Sequence, residues 1–319
     1  ERTEEEEREY RRYLHRLKRR RERRRKVMIA RTIVGVAGVL ILLLLVGLIR
    51  LGVRTVQGGS SQKNKQVEAT IKPTEAAPEY SIPEGFEEYA AKLEEMRSEY
   101  PQVENILLNL YEYSESMLKL ASNNPDALEF VENYPKHKSD IKPSGSVTKE
   151  ELDSAENGIP RFQQWDERWG YLTYGNDNIG INGCGPTCLS MVYVYFTHDL
   201  NGTPREIASY CEKNGYYTEN GTSWSLWTEG LPALGLSGKE LPLGENSMKT
   251  ALDQGKLIVC SMRPGDFTTS GHYILLYDYD DTGFCVKDPN RVSNSSRTWD
   301  YDTLSPQIKN LWTISPTGF

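Results

Sequence analysis

Two residues in the C-terminal half have the type and surroundings that nucleophilic catalysis needs. They are Cys184, in Asn182-Gly183-Cys184-Gly185-Pro186-Thr187-Cys188, and His272, in Ser270-Gly271-His272-Tyr273-Ile274-Leu275. Small residues and a proline leading into the apolar run Leu189 to Phe196 read as a loop entering a helix, with Gly185 and Pro186 in its first turn. Cys184 then stands at a helix N-terminus, where unpaired backbone N–H groups and the positive end of the helix dipole favour a thiolate over a thiol. A thiolate attacks a carbonyl carbon, and an imidazole beside it takes and returns the proton. A cysteine ahead of a helix is more often a small packed residue, so this chemistry depends on His272 and an acid arriving next to it.

The elements around His272 are expected to supply that acid. Thr269 to Asp278 reads as a strand, Asp280-Asp281-Thr282-Gly283 as a turn, and Phe284 to Pro289 as the returning strand. With the turn centred near 281 and 282, the residue opposite His272 is about 290, and Asp288 is a diagonal neighbour of the same parity, hence on the same face. Asp288 and Asn290 are both candidates to orient the imidazole, and a bulge in the hairpin would decide between them.

Four motifs occur in order: Gln164 next to Trp165-Asp166, then Gly183-Cys184-Gly185-Pro186-Thr187, then Gly271-His272 before an apolar strand, then Asp288-Pro289. Together they resemble the double-glycine-leader, or bacteriocin-processing, family of papain-like cysteine peptidases, in particular its extracytoplasmic branch in Gram-positive bacteria. The resemblance implies an α+β papain-like domain in which a helical part carrying Cys184 faces a twisted antiparallel sheet carrying His272 and Asp288. It implies Cys184 as nucleophile, His272 as general base and acid, Asp288 as orienting carboxylate and Gln164 as side-chain donor of an oxyanion hole, completed by the Cys184 N–H. Gln163 competes with Gln164 for that last role. No metal or organic cofactor is implied, and the substrate is a peptide or protein. The same Cys, His and Asp set serves cell-wall amidases and transglutaminase-like acyl transferases, and an inert papain-like binding module is a third alternative.

The rest of the chain is read in pieces, because its composition changes along its length. Residues 1–31 hold 14 Lys and Arg against 7 Glu, whereas the remainder holds 24 Lys and Arg against 38 Asp and Glu. A basic end suggests nucleic acid, but the 18 uncharged residues from Thr32 to Ile49 argue for a membrane instead. As a helix they rise about 27 Å, close to the hydrocarbon thickness of a bilayer. Nine of the eleven residues from Arg16 to Lys26 are Lys or Arg, which places the N-terminus in the cytoplasm and the rest outside.

The expected organisation is a basic cytoplasmic tail at 1–31, a single transmembrane helix at 32–51 and a flexible linker at 52–83. A helical stalk at 84–135, a second linker at 136–158 and the peptidase domain at 159–319 follow. Within the stalk three helices are expected, broken at Pro101 and Pro125. In the middle one Val103, Ile106, Leu107, Leu110, Tyr113, Met117 and Leu120 form one apolar stripe. The stripe packs on the catalytic domain or a neighbouring helix, or else zips two copies into a homodimer. The segment Gly221 to Trp227 brings two tryptophans, Trp224 and Trp227, that suit a substrate cleft or a core equally.

Overall fold

The computed structural model describes residues 80–137 and 145–318. The expected basic tail, transmembrane helix and most of the first linker lie outside the described residues, as does part of the second linker. Among the described residues no helix is long and apolar enough to cross a membrane.

Four helices come first: α1 (Glu87–Met96), α2 (Gln102–Leu108), α3 (Glu115–Asn123) and α4 (Leu128–His137). The single middle helix expected between Pro101 and Pro125 is therefore two. Ser114 divides it, because its extended backbone and its hydroxyl, which accepts from Met117 N–H at 3.4 Å, cap a new helix. The apolar stripe survives the break, and all seven of its residues are buried within this one chain. That overturns the coiled-coil alternative, since a stripe already covered by its own neighbours has no apolar face left for a second copy.

The expected stalk is likewise corrected. The described residues 80–137 and 145–318 belong to one compact unit, and the core of the four helices continues into Trp165, Tyr171 and Ile181 of the following region. Phe130 of α4 is the key contact. It stacks on Tyr171 with ring centroids 4.3 Å apart, and the Tyr171 hydroxyl donates to Phe130 O at 2.9 Å. The ring fits a slot that exists because two neighbours lack side chains: a Cβ on Gly180 would lie 2.5 Å from it, and one on Gly170 2.7 Å. Phe130→Ala is expected to lower unfolding free energy by about 3–5 kcal/mol, the usual cost of emptying an aromatic site that cannot collapse. Urea denaturation of the full chain would show it; a loss below 1 kcal/mol would mean the slot closes by itself.

The second half begins with α5 (Lys149–Ser154), held by a capping box between Thr148 and Glu151. A short ribbon of β1 (Thr173–Tyr174) and β2 (Asp177–Asn178) leads into the single turn α6 (Ile179–Asn182) and the long helix α7 (Cys184–Thr197). Then come α8 (Pro204–Lys213) and a second ribbon, β3 (Tyr217–Thr218) with β4 (Gly221–Thr222).

The main sheet contains β5 (Leu236–Glu240), β6 (Leu257–Met262), β7 (His272–Asp280), β8 (Gly283–Lys287), β9 (Thr298–Trp299) and β10 (Ile308–Pro316). Its order is β5-β10-β6-β7-β8-β9 and every pairing is antiparallel. Strand β6 is buried at every position and β7 at its first seven, because the sheet is covered on both faces. Leu257, Val259, Tyr273 and Leu275 pack with the α7 core, while Ile258, Cys260, Ile274 and Leu276 pack beneath helix α9 (Glu245–Asp253). The result is a mixed α/β papain-like domain in which the N-terminus of α7 and the start of β7, an inner strand of the sheet, line one cleft.

Candidate active site

Cys184 is the first residue of α7, with Gly183 as its N-cap, so its N–H belongs to the turn that a helix leaves without intrahelical acceptors. Gly185 explains why small residues flank it: a Cβ there would sit 2.5 Å from the Thr222 hydroxyl oxygen. Thr222 in turn accepts from the buried Tyr273 hydroxyl through its carbonyl at 2.8 Å, tying the helix start to the residue after His272. Cys184 is half-buried, and none of the five cysteines forms a disulfide.

His272 opens β7 and is buried. Its Nε2 meets Asp288 Oδ1 at 2.8 Å, and the ring lines the same cleft as Cys184, whose sulfur is close enough to act on its protonation. An ionised carboxylate only accepts, so Nε2 carries the proton and Nδ1 is the nitrogen left for the sulfur. Burial alone would lower the His272 pKa. The Asp288 carboxylate and the Cys184 sulfur outweigh it and raise the value to about 10.

Asp288 is completely buried. Its Oδ1 also accepts from the N–H groups of Asn290 at 2.8 Å and Arg291 at 3.2 Å, and its Oδ2 from Asn294 Nδ2 at 2.7 Å. Burial pushes towards the neutral acid, but His272 and then Asn294 and Asn290 hold the carboxyl below its ordinary range. Asn290, the competing candidate, contributes its backbone N–H to Asp288 and turns its side chain towards Asn124 instead.

Asp288 reaches His272 because of a bulge. Near the turn the pairs are Asp280 with Gly283 and Asp278 with Cys285, whereas farther along they are Leu276 with Val286 and Leu275 with Lys287. Tyr277 is the extra residue on β7. Continued without it, the register would set Asn290 and Asp288 on the face opposite His272; with it, all three share one face.

Gln164 is buried and lines the same cleft. Its Nε2 donates to Gly180 O at 2.8 Å and Ile181 O at 3.1 Å, and its Oε1 is buried without a hydrogen-bond partner. Turning the amide over would set an oxygen against two carbonyl oxygens, so the orientation follows from chemistry. The expected oxyanion donor is thus tied to the segment just before Cys184, and serving an oxyanion requires sharing or releasing one of these bonds. Gln163 faces the acid: its Nε2 donates to Asp288 O at 3.4 Å.

Cys188, one turn along α7, is fully buried and donates to Tyr273 O at 3.4 Å. Burial raises its thiol far from the range in which it would ionise. Of the two tryptophans, Trp227 is core, whereas Trp224 is 41% exposed and lines the cleft with Lys309 5.3 Å above its ring. The residue missed in the sequence was Asn294; nothing local marks it as a partner of Asp288. The cleft holds about 1070 Å³, room for several residues of an extended chain. Lys119, Arg263, Arg291 and Lys309 line it, against Glu219 and Asp266.

A model of the Peptidase_C39 like family matches residues 156–315 of this chain. Among solved structures, the chain is similar to the peptidase domain of Streptococcus ComA, a bi-functional ABC transporter involved in a quorum sensing pathway. That similarity is 18% identity at a TM-score of 0.35, covering 43% of this chain and 93% of that one. It is also similar to a protein from Bacillus anthracis assigned as a C39-like peptidase, at 13% identity and a TM-score of 0.33, covering 54% and 98%. No curated protein matches the chain.

Proposed function

Because the chain belongs to the Peptidase_C39-like family of cysteine peptidases, we propose that it hydrolyses peptide bonds with Cys184 as nucleophile, His272 as general base and acid, and Asp288 as the carboxylate that orients the imidazole. The observation that carries this reading is one imidazole hydrogen-bonded at 2.8 Å to a buried carboxylate and sharing its cleft with a half-buried thiol at a helix N-terminus.

Each step uses a group in hand. The Cys184 sulfur attacks the scissile carbonyl carbon, and the imidazolium gives its proton to the departing amine as the C–N bond breaks. Water then adds to the thioester with His272 taking its proton, and the sulfur leaves as thiolate. Charge on the carbonyl oxygen is met by the Cys184 N–H at the start of α7 and by the Gln164 amide once one of its two carbonyl partners gives way. Gln164 in this role remains part of the proposal.

A place outside the cytoplasm, on a membrane tether, is part of the same proposal. It is supported by the basic run at 16–26 ahead of the uncharged stretch at 32–49.

The full chain incubated with a mixed-sequence peptide library, its products read by mass spectrometry, tests this function. New pairs of termini, each pair together heavier than the parent peptide by one water, are expected. Cross-linked products would show acyl transfer to an amine instead. No new product from any peptide, together with Cys184 alkylation no faster than that of an ordinary thiol, would end the proposal and favour an inert shell.

A further inference from the structure

The helices ahead of the family-matched region reach the acid of the site. Asn124, at the end of α3, is 1% exposed. Its Nδ2 donates to Asn290 O at 2.7 Å and to Asn290 Oδ1 at 3.1 Å, while its own Oδ1 accepts from Asp126 N–H at 3.3 Å and caps the turn that follows. Asn290 N–H donates at 2.8 Å to Asp288 Oδ1, the oxygen that also meets His272. Two more bonds fasten the same stretch: the Arg291 guanidinium donates to Asn123 O, and Val292 N–H donates to Asp126 Oδ2 at 3.0 Å.

Residues 288–291 follow β8 outside any strand, so no ladder fixes them. A carboxylate on such a stretch keeps one orientation only if its neighbours hold it. Trp165 Nε1 bonds Asn290 O at 2.7 Å from the catalytic side, and Asn124 closes the clamp from the helical side.

We propose that Asn124 is a positioning residue for Asp288: by holding Asn290 it keeps the 290 and 291 N–H groups on the carboxylate, and through it the imidazole on Cys184. The inference rests on the Cys184, His272 and Asp288 reading above. It makes the four helices a working part of the site, because their seating sets how well the acid is aimed.

The groups facing His272 are Cys184 and Asp288, with the buried Cys188 behind them and Lys119, Arg263, Arg291, Glu219 and Asp266 around the cleft. A loosened Asp288 weakens the imidazolium and with it the thiolate it accompanies, an effect concentrated at low pH. The test is the rate of iodoacetamide labelling of Cys184 in the full chain between pH 5 and 9, assigned by peptide mapping. Asn124→Ser keeps a capping hydroxyl and loses the Nδ2 donor.

Labelling of Asn124→Ser is expected to slow about five- to tenfold below pH 7, roughly the worth of one hydrogen bond, and to rejoin the wild-type curve at high pH. A purely structural role would leave the pH profile of the folded fraction in place, so superimposed curves for a variant that folds would overturn the proposal. Should Asn124→Ser not fold by circular dichroism, Asn124→Asp keeps the capping oxygen and the size of the side chain while removing the Nδ2 donor of both bonds. A shift in the same direction then supports the clamp and superposition overturns it. The curve of His272→Ala separates the two levels: superposition of that variant on wild type would remove the underlying reading itself.

Discussion

Replacing Cys184 or His272 by alanine is expected to lower kcat/KM for peptide hydrolysis by at least about 10⁴-fold, with the double variant scarcely worse than either single one. The two side chains act as one unit. The ring and the Cys184 sulfur line one cleft, so the sulfur without the ring lacks its proton acceptor and the ring without the sulfur has no nucleophile to serve. Both variants are expected to keep their secondary structure, since Cys184 is half-buried at the helix start and no strand pairing depends on the His272 ring. Cys188→Ala, Cys211→Ala and Cys285→Ala are the controls and should largely retain activity: the first two are buried in the core and the third lies on β8. Full activity in Cys184→Ala, measured on the peptides that wild type cleaves, would exclude the nucleophile.

Asp288→Ala is expected to damage both activity and the fold. Hydrolysis should fall by about 10²–10⁴-fold, the range seen when a proton-transfer group loses its alignment. Stability should drop by about 3–5 kcal/mol, because the change leaves His272, Asn294 and two backbone N–H groups buried without their acceptor. The pH dependence has a definite sign. Asp288 titrates lower in the folded chain than unfolded, so its stabilisation is present above the unfolded value near 3.9 and is lost as pH falls through the folded one. His272 titrates higher when folded, so its share is present below about 6.5 and fades as pH rises towards about 10. The stability gap between wild type and Asp288→Ala should therefore be widest from roughly pH 4 to 6.5 and narrow on both sides. Urea unfolding at a series of pH values measures it, and a gap flat from pH 3 to 9 would show that the pair is not ionised as described.

These expectations draw on information of two kinds. Glycines and proline around Cys184, followed by an apolar run, were enough to place it at a helix start, because capping and helix entry are local events. The continuous apolar run after His272 and the Asp-Asp-Thr-Gly turn were enough for the hairpin. The seven-residue stripe from Val103 to Leu120 showed burial, and its residues are buried.

Other features depend on residues far apart in the chain. Asp288 and Asn290 could not be separated from the sequence: the bulge at Tyr277, which no local signal marks, brings both to the face of His272, and the choice rests on Asn290 being taken up by Asn124, 166 residues away. Gln164 read as a free donor, yet its amide answers to the carbonyls of Gly180 and Ile181. The helices at 87–137 read as a stalk, since periodicity reports that a face is apolar and not what covers it. Phe130 finds its slot only where Gly170 and Gly180 come together, and Asn124 meets Asn290 across 166 residues. The sequence by itself determined the chemistry available to this protein, because residue type and helix entry are written locally; the tertiary structure decided which carboxylate, amide and helix serve it, because hydrogen-bond partners and packing slots exist only once distant segments meet.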